Sequence, residues 1–184
     1  MMKREEALAL LKKNIHNGNL LKHIYAVEAV MGALARHFHE DEETWKLAGL
    51  LHDIDYEITK DDPPRHSLVG GEMLEKEDVP PEVVYAVKCH NHVHGLERKS
   101  LMDKALFATD PVTGLIVAGA LIRPDKKLAP VDVPFLLNRF HEKSFARGAS
   151  RDRIAACSEL GLSLEEFIGI ALEAMKGISK ELGL

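Results

Sequence analysis

Histidine is the residue type in this chain with the most chemistry to offer: ten occur in 184 positions, beside three tyrosines and one tryptophan. A His52-Asp53 pair is present. Ten histidines and eleven aspartates would produce about 0.6 such pairs by chance at this length, so the pair alone says little. Helical phase says more. His23 precedes Val27, Val30 and Leu34 at offsets of four, seven and eleven, which puts its ring on the apolar stripe of an amphipathic helix. His52 follows Trp45 and Ala48 at seven and four, and His66 opens a segment with Val69, Gly70 and Met73 at three, four and seven. His90 follows Val83 and Val87 at seven and three, and Asp110 follows Leu106 at four. Five metal-capable side chains are therefore expected to point inward, each from a different helix, with Asp53 beside one of them. Burying such groups costs several kcal/mol apiece unless something compensates them, and a cation does so. A mixed imidazole and carboxylate set suits Mn, Fe, Co, Ni or Zn, and Ca less well. The expected cofactor is a divalent ion, with Mg kept in the set alongside these transition metals.

Local pattern supplies the elements that must hold these residues. Apolar positions recur at helical spacing and strand alternation is absent, so the expected fold is all-α, a single-domain helical bundle around a buried metal site. Helices are expected at roughly 3–15, ending at the Asn17-Gly18-Asn19 turn, then at 20–38, and from Asp41 to near Asp53. A fourth is expected from Arg65 to about Glu77 after the Asp61-Asp62-Pro63-Pro64 break, and a fifth from Pro80-Pro81. Ser100 with Asp103 opens a sixth that runs to about Leu121. Beyond Arg123-Pro124 the chain reads as looser, with Pro130 and Pro134 as punctuation, before helices near 150–160 and 163–182. The whole of 1–184 is expected to form one domain, with a metal-binding core at about 20–122 and a helical extension at about 123–184.

Composition narrows the function classes. A chain of 46% hydrophobic and 29% charged residues is neither disordered nor fibrous. The net charge of −5 argues against a binder of nucleic-acid polymers that relies on a general positive surface. Cys89 and Cys157 form no CxxC motif, which fits a reducing, cytoplasmic setting. The N-terminal segment lacks the apolar stretch of a signal peptide, and the longest uninterrupted apolar run, Gly114 to Ile122, is nine residues, so no membrane span is expected. Charge is uneven. Residues 40–62 hold nine acidic and two basic side chains, and 123–153 hold eight basic and four acidic, suiting a cation and an anion respectively.

The order H…HD…H…H…D, carried by NLLKHIYAVEAVM (19–31), LAGLLHDIDYE (47–57), RHSLVGGEML (65–74), AVKCHNHVHG (86–95) and DKALFATDPVTGLIVAGALIRPDKKL (103–128), resembles the HD-domain superfamily of metal-dependent phosphohydrolases. It is most similar to that superfamily's small stand-alone hydrolases. The resemblance implies that His23, His52, Asp53 and Asp110 hold one metal, that His66 and His90 complete a second site, and that Asp53 bridges the two. It implies hydrolysis of a small phosphorylated substrate, such as a nucleotide or related phosphoester, by a hydroxide formed from water on the metal. A GYP signature is absent, and HDIDYE departs from the HDxxED pattern of the alarmone hydrolases. Two other classes stay open: a di-iron oxygenase of the same superfamily, and a non-catalytic metal- or ligand-binding module. Self-association into a homo-oligomer is compatible with either.

Helper residues are expected around the ligands. Asp53 is assigned a catalytic as well as a metal-holding role. His92, with His94 beside it, could protonate a leaving oxygen, and Asp55 could orient a water or a ligand histidine. Arg123, Lys126 and Lys127 could bind phosphate oxygens, or simply answer the helix dipole. A Cys89/His90 dyad is disfavoured because helical neighbours point about 100° apart. Pro111 predicts either a kink at Asp110 or a helix that starts there. Gly70-Gly71 predicts close helix packing near the metal. His16, His37, His39 and His141 are expected at the surface.

Overall fold

The computed structural model describes residues 2–184, and no strand is present among them. Eleven α-helices follow one another: α1 Arg4–Asn14, α2 Gly18–Phe38, α3 Glu42–Leu51, α4 Tyr56–Thr59, α5 Leu68–Leu74, α6 Pro81–His90, α7 Leu101–Leu121, α8 Val133–His141, α9 Arg151–Ala155, α10 Leu164–Lys176 and α11 Ser179–Leu182. Short 3-10 turns lie at His92–His94 and Ala156–Leu160. Local chemistry accounts for most starts. The Asn17 side chain accepts from Asn19 N and Leu20 N, and that of Asp41 accepts from Thr44 N. Capping boxes at Ser100/Asp103 and Ser163/Glu166 open α7 and α10 as expected. α2 ends where His39 turns left-handed, at φ 59°.

α2 and α3 form an antiparallel hairpin, and α7 and α10 pack on α2. The hairpin is tight: a Cβ on Gly49 would lie 2.8 Å from Glu28 Cα, so only glycine lets the two backbones approach this far. Antiparallel packing sets the start of α2, with His23, beside the end of α3, with His52. α6 packs on α3 and α7, which brings in His90 and Asp110. Most of the expected core stripe is fully buried, with Val27, Val30, Leu34, Ala48, Val83, Val87 and Leu106 all at 0% exposure, whereas Val69 and Met73 near His66 are half-buried.

Three expectations need correction. His66 lies in a turn that precedes α5, because the fourth helix starts at Leu68 and stops at Leu74. A full helix, α8, occupies a stretch expected to be loose; Pro134 falls in its first turn, where the missing N–H costs nothing, and Asp132 caps it through Phe135 N. The last helix is divided, α10 ending at Lys176 and α11 starting at Ser179. α7 is long and apolar enough to cross a bilayer by length and composition alone. In this fold 67% of its apolar window is buried against other helices, the burial of a core helix.

Candidate metal centre

Each ligand candidate is set by a different device. His23 sits one turn into α2, and His52 is the residue that follows α3, still in helical geometry. Asp53, next in the chain, is 6% exposed and turned to the same point. His90 is the last residue of α6. Asp110 lies midway along α7, which continues through Pro111 without ending. His66 is placed by Asp55, whose carboxylate is fully buried. One Asp55 oxygen accepts from His66 Nδ1 at 3.0 Å, and the other accepts from Ser67 N and Gly70 N, both at 2.8 Å. These bonds hold Ser67 at φ 71°, a backbone state that a serine rarely adopts unaided. A Cβ on Gly70 would stand 3.2 Å from the Asp55 carboxylate, and one on Gly71 would collide with the Lys88 side chain, so the paired glycines do serve close packing.

The side chains converge. Ligating atoms of His23, His52 and Asp110 lie within 4.8 Å of one another, as do those of His52, Asp53 and His90. Asp53 faces two ways: Oδ2 is 3.4 Å from His52 Nε2 and 3.6 Å from His23 Nε2, whereas Oδ1 is 3.3 Å from His66 Nε2 and 3.6 Å from His90 Nε2. Asp110 Oδ1 is 3.1 Å from His23 Nε2.

Outer hydrogen bonds determine which ring nitrogen carries the proton. His52 Nδ1 faces Gly49 O at 2.8 Å and His90 Nδ1 faces Val87 O at 2.6 Å; a carbonyl only accepts, so both Nδ1 atoms donate. The Thr113 hydroxyl gives its hydrogen to Asp110 O, which leaves it to accept from His23 Nδ1. His66 Nδ1 donates to Asp55. In the neutral state all four rings therefore present the Nε2 lone pair to one centre. His23 Nε2 and His52 Nε2 are 3.2 Å apart, a separation at which two lone pairs need a proton or a cation between them. Four such nitrogens with two carboxylates, each imidazole braced from behind, fit a transition-metal or zinc centre, in which outer partners orient ligand histidines.

The electrostatics agree. Burial raises carboxyl pKa values, yet the surrounding histidines hold Asp53 well below the usual carboxylate range, and His23 with Arg153 does the same for Asp110. Burial pulls His66 down, but bonds to Asp53 and Asp55 outweigh it and push the ring up to about 9. His52 also ends above its ordinary value, burial being outweighed by the charge of Asp53, whereas burial and the charge on His52 lower His90. On His52 and His66 a proton is thus favoured on the lone pair that a cation would take, and metal binding must displace it.

The remaining candidates fall outside the cluster. His92 is exposed on the 3-10 turn and is not among the converging side chains. Its neighbour His94 braces the His66 turn, with Nε2 2.7 Å from His66 O. Arg123 pairs with Asp125, and Lys126 and Lys127 are exposed. Eleven residues of α7, about 16 Å of helix, separate Asp110 from Leu121, so the basic segment that follows lies at the far end. Cys89 is turned toward Leu96 O and Glu97 O, and burial pushes its thiol up to about 11, so it stays protonated.

The cation at the centre is one that spacing did not reveal. Arg153, from α9, donates through Nη2 to Asp110 Oδ2 at 2.8 Å and to Phe107 O and His90 O, both at 3.2 Å. Phe107 is the residue four before Pro111, so its carbonyl is the one the proline leaves without a helical donor. Arg153 supplies that donor, ties α6 to α7, and holds one Asp110 oxygen so that the other faces His23. Arg153→Met, which keeps the stem but removes three bonds, is expected to cost about 2–4 kcal/mol in thermal unfolding and to weaken metal binding. Arg123→Met is the control and should leave both unchanged.

A protein-family model for the HD domain matches residues 20–115. Ribonuclease Y of Desulfotalea psychrophila is 30% identical over 139 residues, covering 73% of this chain and 26% of that protein. Ribonuclease Y of Clostridium kluyveri is 35% identical over 96 residues, covering 52% of this chain and 18% of that protein. The chain thus spans about a quarter or less of the length of these relatives. No solved structure matches it.

Proposed function

The chain belongs to the HD-domain family, and on that premise we propose that it is a metal-dependent phosphohydrolase acting on a small phosphorylated substrate, a nucleotide or related phosphoester. The observation that carries the reading is the convergence of four Nε2 lone pairs and two ionised carboxylates on one buried centre. His23, His52, Asp53 and Asp110 would hold one divalent ion, and His66 and His90, sharing Asp53, would hold a second. When bound, such a cation generates a nucleophile from water at neutral pH and polarises a phosphoryl oxygen. The chain itself supplies orientation. Gly49 O, Val87 O, Thr113 and Asp55 fix the rings from behind, and Arg153 fixes Asp110. No serine or cysteine nucleophile is called for.

The relatives' name specifies RNA, but they share only a small part of their length with this chain, whose net charge is −5. A long polyanion needs a basic track, whereas a small ester needs only the centre and a pocket. The test loads the purified protein with Mn, Fe, Co, Ni, Mg or Zn and presents phosphomonoesters, phosphodiesters, nucleotides and RNA, scoring inorganic phosphate and cleaved product. Turnover of a small ester is expected. Cleavage of RNA alone would overturn the choice of substrate, and silence across the panel, or oxygen consumption by the iron form instead, would overturn the hydrolase reading.

A further inference from the structure

Beside the centre lies a cavity of about 670 Å³ whose lining includes both His23 and Asp110. That size falls within the range typical of small-ligand sites. Its floor is one face of α7: Gly114, Val117, Ala118 and Leu121 follow Asp110 at offsets of four, seven, eight and eleven, in line from the carboxylate outward. α7 is otherwise a buried core helix, yet on this face Gly114 is exposed and Leu121 is 49% exposed. Leu182 of α11 also lines it.

The charge of the lining is as informative as its shape. Lys22, beside His23 on α2, is the only lysine or arginine among the described lining residues. Arg153 is committed to Asp110, and Arg123, two residues past Leu121, is turned to Asp125. A nucleoside triphosphate or other oligophosphate would place several further negative charges against an apolar wall without partners. A single phosphoryl group at the centre, with Lys22 at its edge, leaves the wall for an uncharged body.

Resting on the phosphohydrolase reading above, the geometry points to a phosphomonoester with one phosphoryl group and an apolar, uncharged leaving group that lies along Gly114, Val117, Ala118 and Leu121. Apolar area withdrawn from water there favours bulky bodies over small ones, and selectivity is set by how much of the wall the body covers.

Gly114 permits a clean test, because a Cβ built there meets nothing within 4 Å and leucine is a better helix former than glycine. Gly114→Leu places a side chain in the cavity from its floor and replaces no ligand residue. The metal-loaded protein and the variant are compared on ethyl phosphate, 2-naphthylmethyl phosphate and ATP, and for binding of 2-naphthylmethylphosphonate, which cannot be hydrolysed. The expected result is at least a tenfold preference in kcat/KM for the naphthylmethyl over the ethyl ester. That ratio and the phosphonate affinity should each fall at least tenfold in Gly114→Leu, with bound metal unchanged. Preference for ATP, or an equal ratio in the two proteins, overturns the inference while leaving the hydrolase reading intact. If no ester is hydrolysed, that reading fails on its own and phosphonate binding decides: weaker binding to Gly114→Leu upholds the cavity, whereas equal or absent binding to both overturns it.

Discussion

Replacing Asp53 with alanine is expected to strip the centre of metal and to lower phosphoester hydrolysis by about a thousandfold or more. The magnitude follows from what a bound cation contributes: several kcal/mol of charge stabilisation in the transition state, at about 1.4 kcal/mol for each tenfold in rate. Asp53 is the residue on which both halves of the cluster depend, since one of its oxygens faces His23 and His52 and the other faces His66 and His90. In the two-site assignment proposed above, every other ligand belongs to one site, whereas Asp53 belongs to both. The helical content of Asp53→Ala, read by circular dichroism, should stay near that of the parent, because the apolar core beneath is untouched. Elemental analysis is the decisive measurement, and an unchanged metal content would remove Asp53 from the ligand set.

The second large effect is on stability. Asp55→Ala should destabilise the protein by about 3–5 kcal/mol, because it leaves Ser67 N and Gly70 N buried without acceptors and releases the His66 ring. That is a large share of the ~5–15 kcal/mol that holds a typical domain together. Asp55→Asn gives a milder version, since its one acceptor oxygen still serves Ser67 N and Gly70 N and its NH2 is turned to His66 Nδ1. Both variants lose the bond that orients a candidate ligand, so metal affinity should fall about 10–100-fold even where the fold survives. Thermal unfolding and metal titration of the two variants separate these effects. A stability change under about 1 kcal/mol for Asp55→Ala would contradict the bracing role.

How much of this could be read along the chain follows from how local each cause is. The helices around His23, His52, His90 and Asp110 were legible because their apolar partners lie three to eleven residues away, within the reach of helical periodicity. Caps at Asp41, Ser100 and Ser163 were equally local, each made with a backbone N–H within three residues. His66 was expected on a helix because Val69 and Met73 repeat at the right spacing. It stands in a turn instead because Asp55, eleven residues earlier, draws Ser67 N into a left-handed bend. Pro134 was misread because proline breaks a helix interior but suits a first turn, and only the position of Asp132 distinguishes the two. The basic stretch 123–153 contains Arg153, the cation that holds Asp110, which no local spacing singles out. Arg123 and Lys126 were chosen for closeness in sequence to α7, whereas Arg153 reaches Asp110 from 43 residues away.

By itself, then, the sequence determined the helical class, the buried stripe and the inward turn of His23, His52, His90 and Asp110, since residue type and a 3.6-residue period decide what each helix turns inward. Only the tertiary structure decided that every Nε2 faces the centre, that Asp53 looks both ways, that Arg153 supplies the donor missing at Pro111, and that one face of α7 stays open beside the cluster. Those features depend on hydrogen bonds and packing between elements distant in the chain. No local pattern records them, because the partner of each group is set by how the helices cross.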